Sequence, residues 1–450
     1  MTPRRTPGDT RALAGRLAAL RVLLSADNIP FDVAFDRELE RRPLEARDRA
    51  LARTLAMGSL KLRRRLDFML EQFLDKKHQP LPTAIREILR LGAYQISELS
   101  RVPAFASVST SVELAKQFGH PGTSRLVNAV LRRFAAHDGT WPWPDETKDP
   151  VGHLATRYSY PNWIVRRWLD RLSFQEALSR CKAGNRRAGV TVRLVRESVW
   201  SPAQLEWLSE LEAESRPARW FPEYRYLPDA PDVGPVMEEH GNDCVVQNEA
   251  QAASVYLLGL EPGDTLLDVC AAPGGKLLHA MRFVGEHGRL VALDLQPRRV
   301  RRLLDNLLRV DAKRTLVARA DGRRLPVRPV RKILLDAPCT GLGLLHRHPE
   351  LRWQKRPEDL PRLCELQTEL LEAAVTALPA GGRLVYSTCS TCEEENEEQI
   401  EHLLARHPEL SIVDPRPLLP EGVTASAHWV NLLPDPPRLD GAFACALDKS

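Results

Sequence analysis

Cysteines near the end of the chain stand where a thiol could do chemistry. Cys389 and Cys392 have a C-x-x-C spacing in the stretch RLVYSTCSTCEEENEE, and Cys339 lies 50 residues before Cys389. A C-x-x-C pair could be a redox dithiol, half of a zinc site, or one nucleophile with an unrelated neighbour. A redox motif should open a helix after a first strand, and a structural zinc needs four ligands. His402 and His407 could be proposed as further ligands, but no second pair stands at a spacing that suits a zinc site, so this interpretation is disfavoured.

The cysteines follow the last members of a series of apolar runs. After residue 250 the chain contains TLLDVC, RLVALDL, TLVARAD, KILLDAPC and GRLVYSTC, separated by helix-compatible stretches. This alternation predicts βαβ units and a Rossmann-like, doubly wound parallel sheet, whose ligands bind beyond the carboxyl ends of the strands. We therefore expect the residues at those ends to converge on one crevice. They are Asp268, Asp294, Asp321, Asp336, Cys339 and Cys389.

The loop after the first run consists mainly of small residues. Its members are Cys270, Ala271, Ala272, Pro273, Gly274, Gly275 and Lys276. The two glycines allow a ligand to approach the backbone, but the absence of G-x-G-x-x-G argues against a dinucleotide. Asp294 follows Asp268 by 26 residues, near the place of a ribose-binding acid, and Asp321 could meet an adenine amino group. The set predicts an adenosine ligand without phosphates, of which S-adenosylmethionine is the commonest.

One reaction would use both cysteines and a neighbouring acid. A thiolate that adds to C6 of cytosine or uracil makes C5 reactive enough to attack a methyl group. Cys389 or Cys339 could be the thiolate, Asp336 could contact N3 and the exocyclic amine, and the other cysteine could assist elimination. The spacing leaves open which cysteine attacks. The glutamates after Cys392 are expected to begin a helix, where acids suit the positive end of its dipole.

The rest of the chain divides by composition. Helical periodicity over the first ~135 residues predicts an all-α domain at 1–138. The stretch HDGTWPWPDETKDP at 137–150 indicates a linker, which leads into a small α/β subdomain within 139–245. There, interleaved Trp and Arg could offer stacking surfaces to RNA, although buried aromatics are the favoured interpretation. Residues 246–450 then form the predicted catalytic domain.

Charge and composition limit the class of partner. The net charge is +5, but residues 1–150 carry 25 Lys/Arg against 18 Asp/Glu, and residues 298–332 carry 13 against 3. Two basic zones indicate a polyanionic partner, with arginines on solvated helix faces as the alternative.

Apolar runs are too short for a membrane span, no secretory leader is visible, and eight cysteines are scattered. We expect a cytoplasmic monomer without a metal.

Several motifs carry a family resemblance. LLDVCAAPGGK, LLDAPCTGLG and YSTCSTCEEENEE resemble the motifs of RNA cytosine-5 methyltransferases of the NOL1/NOP2/Sun (Sun/Fmu) family, as do RHPELRW and VVQNEAQ. LRLGAYQI, VELAK and VNAVLRR resemble the NusB-like RNA-binding domain. The resemblance implies methylation of a cytosine in 16S ribosomal RNA, free or in an assembling small subunit, with S-adenosylmethionine as cofactor. A transfer RNA substrate and a non-catalytic NusB-type RNA-binding factor are the alternatives, the second disfavoured by the intact pair of cysteines.

The resemblance also implies individual roles. It makes Cys389 the nucleophile and Cys339 the residue that aids release of the methylated base, with Asp336 and Lys276 beside them. Cofactor contacts map to residues 270–276, Asp294, Asp321 and Asp336. The chain departs from the family pattern in having PGGKLL for P-G-G-K-T, Asn248 for an acid, and DGAF for D-G-F-F.

Overall fold

The computed structural model describes residues 7–27, 29–74, 80–195, 209–211, 215–228, 242–310, 312 and 314–450. The helices are α1 (Pro7–Ser25), α2 (Phe31–Arg41), α3 (Ala46–Lys61), α4 (Arg63–Glu71), α5 (Thr83–Glu98), α6 (Ala104–Phe118), α7 (Pro121–Ala135), α8 (Pro150–Arg157), α9 (Asn162–Leu169), α10 (Phe174–Asn185), α11 (Ala252–Tyr256), α12 (Gly275–Val284), α13 (Pro297–Arg309), α14 (Leu351–Gln354), α15 (Asp359–Ala377) and α16 (Glu397–Arg406). No helix in these ranges is long and apolar enough to cross a membrane.

The strands form two sheets. They are β1 (Val190–Leu194), β2 (Arg216–Pro217), β3 (Tyr224–Leu227), β4 (Cys244–Val246), β5 (Thr265–Asp268), β6 (Arg289–Asp294), β7 (Thr315–Arg319), β8 (Lys332–Asp336), β9 (Arg383–Thr388), β10 (Leu410–Ile412), β11 (Val430–Leu432) and β12 (Ala442–Lys449). The small antiparallel sheet has the order β2–β3–β1–β4. The large sheet has the order β10–β12–β9–β8–β5–β6–β7, with β11 paired to β12.

The chain folds as two compact units. One comprises residues 1–186 with 345–355, and the other comprises 187–344 with 356–450. This division differs from the three predicted segments, whose boundaries at 138 and 245 stay predictions. Within the first unit, the described elements up to residue 135 are helices, as periodicity predicts. Their apolar stripes meet in one core that includes Leu20, Leu55, Ile88 and Val127.

A segment from the second half of the sequence belongs to the first unit. Arg352 on α14 is fully buried there, and its guanidinium lies 3.8 Å from the ring centroid of Tyr160. It donates to the carbonyl oxygens of Lys61 and Ser159, each at 3.1 Å. Trp353 donates to Leu60 O at 2.7 Å. The RHPELRW motif is therefore part of the helical unit. The sequence alone assigned it instead to a continuous catalytic domain at 246–450.

The large sheet of the second unit confirms the predicted parallel core. β9, β8, β5, β6 and β7 pair in parallel, and they correspond to the five apolar runs. Leu266 and Leu334 face one apolar cluster, whereas Leu267 and Leu335 face another on the opposite side. Both faces of β5, β8 and β9 are covered, so these strands read as continuous apolar runs, whereas β7 at the edge of the sheet is largely exposed. The antiparallel addition of β12, β10 and β11 was not predicted.

Candidate active site

Two neighbouring parallel strands lead into the two cysteines. Asp336 at the end of β8 is the register partner of Ser387 in β9, and Ala337 N donates to Ser387 O at 2.9 Å. Cys339 follows β8 by three residues, and Cys389 directly follows β9. Because parallel strands end at the same edge of a sheet, this pairing brings both thiols to one place.

The two thiols are direct neighbours. Cys339 Sγ lies 3.2 Å from Cys389 Sγ. The pKa of Cys339 is raised well above its usual value, first by the hydrogen bond with Cys389 and then by burial. Cys339 is therefore held as a neutral thiol. That state suits a nucleophile poorly, whereas the thiolate formed when the proton is lost would be a strong base.

A lysine in the first turn of α12 ties the two strand ends together. Lys276 Nζ forms an ion pair with Asp336 Oδ1 and donates to Ser387 Oγ at 3.2 Å. Ser387 Oγ in turn donates to Asp336 Oδ1 at 2.9 Å. Both contacts to Asp336 reach the same oxygen, and its side chain is 37% exposed. The orientation of this carboxylate is thus fixed while its other oxygen stays accessible to a ligand.

The turn after Cys339 packs on the backbone of Cys389. Gly343 N donates to Cys389 O at 3.0 Å, and Gly441 N donates to Gly343 O at 3.0 Å. A Cβ on Gly343 would lie 2.7 Å from Cys389 O, which is closer than real side chains approach. Glycine at position 343 therefore permits the close contact between the two cysteine-bearing segments.

The small-residue loop after β5 is held by side chains of α13. Gly274 has a φ of +106°, a conformation that favours glycine, and α12 begins at the next residue. Asn306 Nδ2 donates to Pro273 O at 2.8 Å, and Arg299 Nη2 donates to Ala272 O at 2.5 Å. The loop backbone is thus presented at the start of a helix, where a ligand can approach it.

Asp268 is buried at the end of β5 with an incomplete set of partners. It is 1% exposed, and its Oδ1 has no hydrogen-bond partner in the described ranges. Burial, followed by the charge of Asp336, raises the pKa of Asp268 to about 8. Burial and then Asp268 also raise the pKa of the Cys270 thiol. An orphaned acceptor beside a second acid would be stabilised by a cationic ligand.

The other two acids predicted to bind the cofactor are paired with arginines. Asp294 is 5% exposed, and its Oδ2 lies 3.2 Å from Arg299 Nε. Arg323 Nη2 donates to Asp321 Oδ2 at 2.7 Å, and this contact lowers the pKa of Asp321 to about 2. Ala320 N donates to Asp294 O at 3.2 Å, so Asp321 follows a residue bonded to the Asp294 backbone. Both acids stand at the edge of the sheet that carries Asp268.

These residues fit S-adenosylmethionine. The orphaned Oδ1 of Asp268 suits the ammonium group of a methionine moiety, and three nearby acids suit a ligand with a positive sulfonium. The same carboxylates would repel a pyrophosphate. Asp294 would hold the ribose and the 270–276 loop would cover the ligand. When bound there, the cofactor supplies an electrophilic methyl group.

Sequence reasoning missed the residue that contacts both cysteine-bearing segments. Glu395 is fully buried and accepts hydrogen bonds from Thr340, Ser390 and Gln367. Of the glutamates that were expected to begin a helix, Glu397 and Glu398 do begin α16, whereas 393–395 form a 3₁₀ turn before it. Residue type cannot separate Glu395 from its neighbours, because the phase of the turn decides which carboxylate points inward.

Two departures from the family pattern meet in the structure. Asn248 Oδ1 accepts hydrogen bonds from Ala250 N and Asp440 N, both at 3.1 Å, and its Nδ2 donates to Arg438 O at 2.8 Å. Asp440 opens the DGAF stretch. An amide satisfies acceptor and donor roles there that a carboxylate could not fill alone.

The C-x-x-C spacing does not define a metal centre in the described ranges. No group of three or more His, Cys, Asp or Glu side chains there could hold a metal ion. The two ring nitrogens of His407 instead contact Glu372 and Glu409, at 2.7 and 3.0 Å. Cys392 is 1% exposed, and all eight cysteines are free thiols.

Comparison with solved structures supports the fold. The crystal structure of PH0851 matches with a TM-score of 0.82 at 23% identity and covers 99% of this chain and 100% of that one. NSun6 from Pyrococcus horikoshii with SFG matches with a TM-score of 0.56 at 18% identity, over 65% of this chain and 99% of that one. These two likenesses show the fold of the chain.

Sequence comparison gives the family. Residues 255–448 match the model described as 16S rRNA methyltransferase RsmB/F, and residues 14–136 match the NusB family. The probable ribosomal RNA small subunit methyltransferase B of Synechocystis is 33% identical over 93% of this chain and 95% of its own. The ribosomal RNA small subunit methyltransferase B of Pseudomonas putida is 32% identical over 96% and 98%. The chain belongs to the RsmB/F methyltransferase family and carries an N-terminal NusB domain.

Proposed function

We propose that this protein methylates C5 of a cytosine in 16S ribosomal RNA through a covalent bond between Cys389 and C6 of the base. The observation that carries the proposal is the 3.2 Å contact between Cys389 and Cys339 beside the fixed carboxylate of Asp336. A binding module would have no use for two adjoining thiols at the strand ends that face a cofactor loop.

The first step makes the base nucleophilic. Cys389 gives its proton to solvent and its thiolate forms a bond to C6. The pi electrons of C5–C6 then form a C4–C5 double bond, and the C4–N3 pair moves onto N3, which takes up a proton. Asp336 contacts N3 and the exocyclic amine through its accessible oxygen, since Lys276 and Ser387 occupy the other one. This contact orients the ring so that C5 faces the methyl donor.

The second step releases the product. Once C5 carries both a methyl group and a proton, a base must remove that proton so that the bond from C6 to sulfur can break. Cys339 lies next to the leaving sulfur. Because Cys339 rests as a neutral thiol, it must first give its own proton to solvent, and its raised pKa then makes the resulting thiolate a strong base for the C5 proton, directly or through water.

The substrate assignment rests on the family and on charge. Two relatives at 32–33% identity carry the name ribosomal RNA small subunit methyltransferase B, one of them as probable, and the NusB match favours a structured RNA. Residues 298–332, with a net charge of +10, would contact the phosphate backbone. The protein then acts as a cytoplasmic monomer on free 16S RNA or an assembling small subunit. Bisulfite sequencing of total RNA from a deletion strain would test this assignment, and loss of methylation from a transfer RNA instead would overturn it.

Substitution of Cys389 tests the chemistry. Cys389→Ala should lower methylation by roughly 10³-fold or more while cofactor affinity changes little, because the thiol acts only on the base. The matched control is Cys392→Ala, which removes a thiol three residues away and should keep activity within about twofold. Full methylation by Cys389→Ala would refute covalent catalysis.

Substitution of Cys339 separates the roles of the two thiols. Cys339→Ala should form the bond to C6 but break it slowly, so a protein–RNA adduct should accumulate on a denaturing gel. The double variant Cys339→Ala/Cys389→Ala should form none. An adduct seen with Cys389→Ala and absent with Cys339→Ala would exchange the two assignments.

A further inference from the structure

A single buried carboxylate links the two segments that carry the cysteines. We call residues 337–344 the Cys339 loop and residues 389–392 the Cys389 loop. Glu395 Oε1 accepts a hydrogen bond from Thr340 N at 2.8 Å, and its Oε2 accepts one from Thr340 Oγ1 at 2.5 Å. Ser390 Oγ in the Cys389 loop donates to the same Oε2. The carboxylate therefore contacts the residue directly after each cysteine.

The other side of the Cys339 loop is fixed through a glutamine. Gln367 on α15 is fully buried, and its Nε2 donates to Pro338 O at 2.9 Å and to Glu395 Oε1 at 3.1 Å. Pro338 and Thr340, the residues on either side of Cys339, are thus both linked to Glu395, the first through Gln367 and the second directly. Thr340 Oγ1 also lies 3.1 Å from Ser390 Oγ, which closes the network between the two loops.

The Cys389 loop is fixed by the residue after Glu395. Thr388 Oγ1 donates to Asn396 Oδ1 at 2.5 Å, and Asn396 Nδ2 donates to Ser390 O at 3.2 Å. The residues on both sides of Cys389 therefore depend on the turn that contains Glu395. Tyr386 OH holds the backbone of that turn by donating to Glu395 O at 2.6 Å.

We propose that Glu395 is a positioning residue for the two thiols: it holds the Cys339 and Cys389 loops so that both sulfurs reach the same base. This inference rests on the proposed function and adds to it the residue that couples adduct formation to product release. Glu395 itself has no assigned contact with substrate, because it is fully buried behind the loops.

The carboxylate has an electrostatic effect on one thiol as well. Among the causes that raise the pKa of Cys339, the hydrogen bond with Cys389 comes first, followed by burial, and the charge of Glu395 contributes further. Loss of that charge should lower the pKa of Cys339 and weaken it as a base. A group with a purely structural role would leave this titration unchanged.

The test compares Glu395→Gln with Glu393→Gln. The amide in Glu395→Gln keeps the shape and one acceptor oxygen, and Thr340 Oγ1 and Ser390 Oγ can rotate to accept from its NH₂. Glu393 is exposed in the same turn, so its amide variant controls for the sequence change. We expect kcat to fall at least about tenfold in Glu395→Gln, with KM for RNA and cofactor affinity within about twofold, and no change in Glu393→Gln.

A second readout follows the thiols directly. Alkylation of Cys339 by iodoacetamide, quantified by mass spectrometry against pH in a Cys389→Ser background, should shift to lower pH when Glu395→Gln is added. A kcat within twofold of the parent together with an unshifted alkylation profile would overturn the proposal. If Glu395→Gln does not fold, Ser390→Ala and Thr340→Val each remove one donor to the carboxylate. Each must then lower kcat by at least about threefold, and full activity in both would overturn it.

The two proposals fail in different ways. If covalent catalysis is wrong, Cys389→Ala remains active. If only the positioning role is wrong, Cys389→Ala is inactive while Glu395→Gln keeps the kcat of Glu393→Gln.

Discussion

Two buried carboxyl groups in the large-sheet unit have opposite surroundings. Glu395 receives hydrogen bonds from both cysteine loops and from Gln367. Asp268, at the end of β5, has one oxygen without a partner in the described ranges, and the charge of Asp336 lies close enough to raise its pKa. The first group completes a network within the protein, whereas the second leaves one incomplete.

The difference separates two parts of the site: the Glu395 network stabilises the protein structure, whereas Asp268 is suited to binding a ligand. A buried carboxylate that satisfies several donors stabilises the fold, because each donor would otherwise be left without a partner. A buried acid beside another acid lowers the stability of the ligand-free fold, and a bound cation relieves that cost. Substitution at the two positions should therefore change stability in opposite directions.

The largest expected effect is at Glu395. Glu395→Ala leaves Thr340 N and its neighbouring donors unpaired in a dry environment, so the free energy of unfolding should fall by about 3–5 kcal/mol. Chemical denaturation at pH 7.5 measures this change. Glu393→Ala in the same turn should stay within about 0.5 kcal/mol of the parent. Equal losses of stability in the two variants would show that the buried Glu395 stabilises the fold no more than the exposed Glu393 does.

Asp268 should show the reverse sign. Asp268→Asn keeps the shape but removes a charge that burial disfavours, so the ligand-free protein should gain about 2 kcal/mol at pH 8.5. The same change should weaken S-adenosylmethionine binding by about 100-fold, because the ammonium group loses its ionised partner and meets a neutral amide instead. Calorimetry and denaturation on one preparation measure both. A less stable variant that binds normally would show that Asp268 is structural.

Sequence reasoning could place the acids and cysteines but not the contacts of Glu395. Runs such as KILLD and RLVYST read as buried strands because both of their faces are covered. Once the strands are predicted, the residues at their carboxyl ends can be read directly from the sequence. Strand order, the antiparallel β12 and the insertion of 345–355 into the helical unit depend on long-range packing that no local pattern encodes. Likewise, one inward-facing glutamate among five carries no local signal.

The titration of Asp268 sharpens the comparison with a pH dependence. The pKa of Asp268 is about 8 in the folded, ligand-free protein, so the carboxyl group binds a proton below that pH and must lose it to accept a cation. Affinity for S-adenosylmethionine should therefore fall as pH drops from 8.5 to 6.5, by up to about tenfold per unit. Calorimetry in buffers of different ionisation enthalpy would detect the released proton. Asp268→Asn should lose this dependence.

The stability of the ligand-free protein should follow the same proton. Unfolding restores an ordinary aspartate, so between about pH 4 and pH 8 the unfolded state has lost the proton that folded Asp268 keeps. This group therefore lowers stability as pH rises through that window and adds no further change above about 8. Denaturation curves of the parent and of Asp268→Asn at pH 6 and pH 8.5 measure this contribution. Between these two pH values, the free energy of unfolding should fall more in the parent than in the variant.

The smallest expected effect tests whether the Glu395 network acts as a unit. Ser390→Ala and Thr340→Val each remove one hydroxyl donor, and each should cost about 1 kcal/mol because the carboxylate keeps its remaining partners. Since Thr340 Oγ1 also lies 3.1 Å from Ser390 Oγ, the two hydroxyls share partners, and the losses should not add. A double-mutant cycle should give an interaction energy of at least about 0.5 kcal/mol. Simple additivity would mean that each hydroxyl anchors its own loop independently, and that coupling of the loops depends on the carboxylate alone.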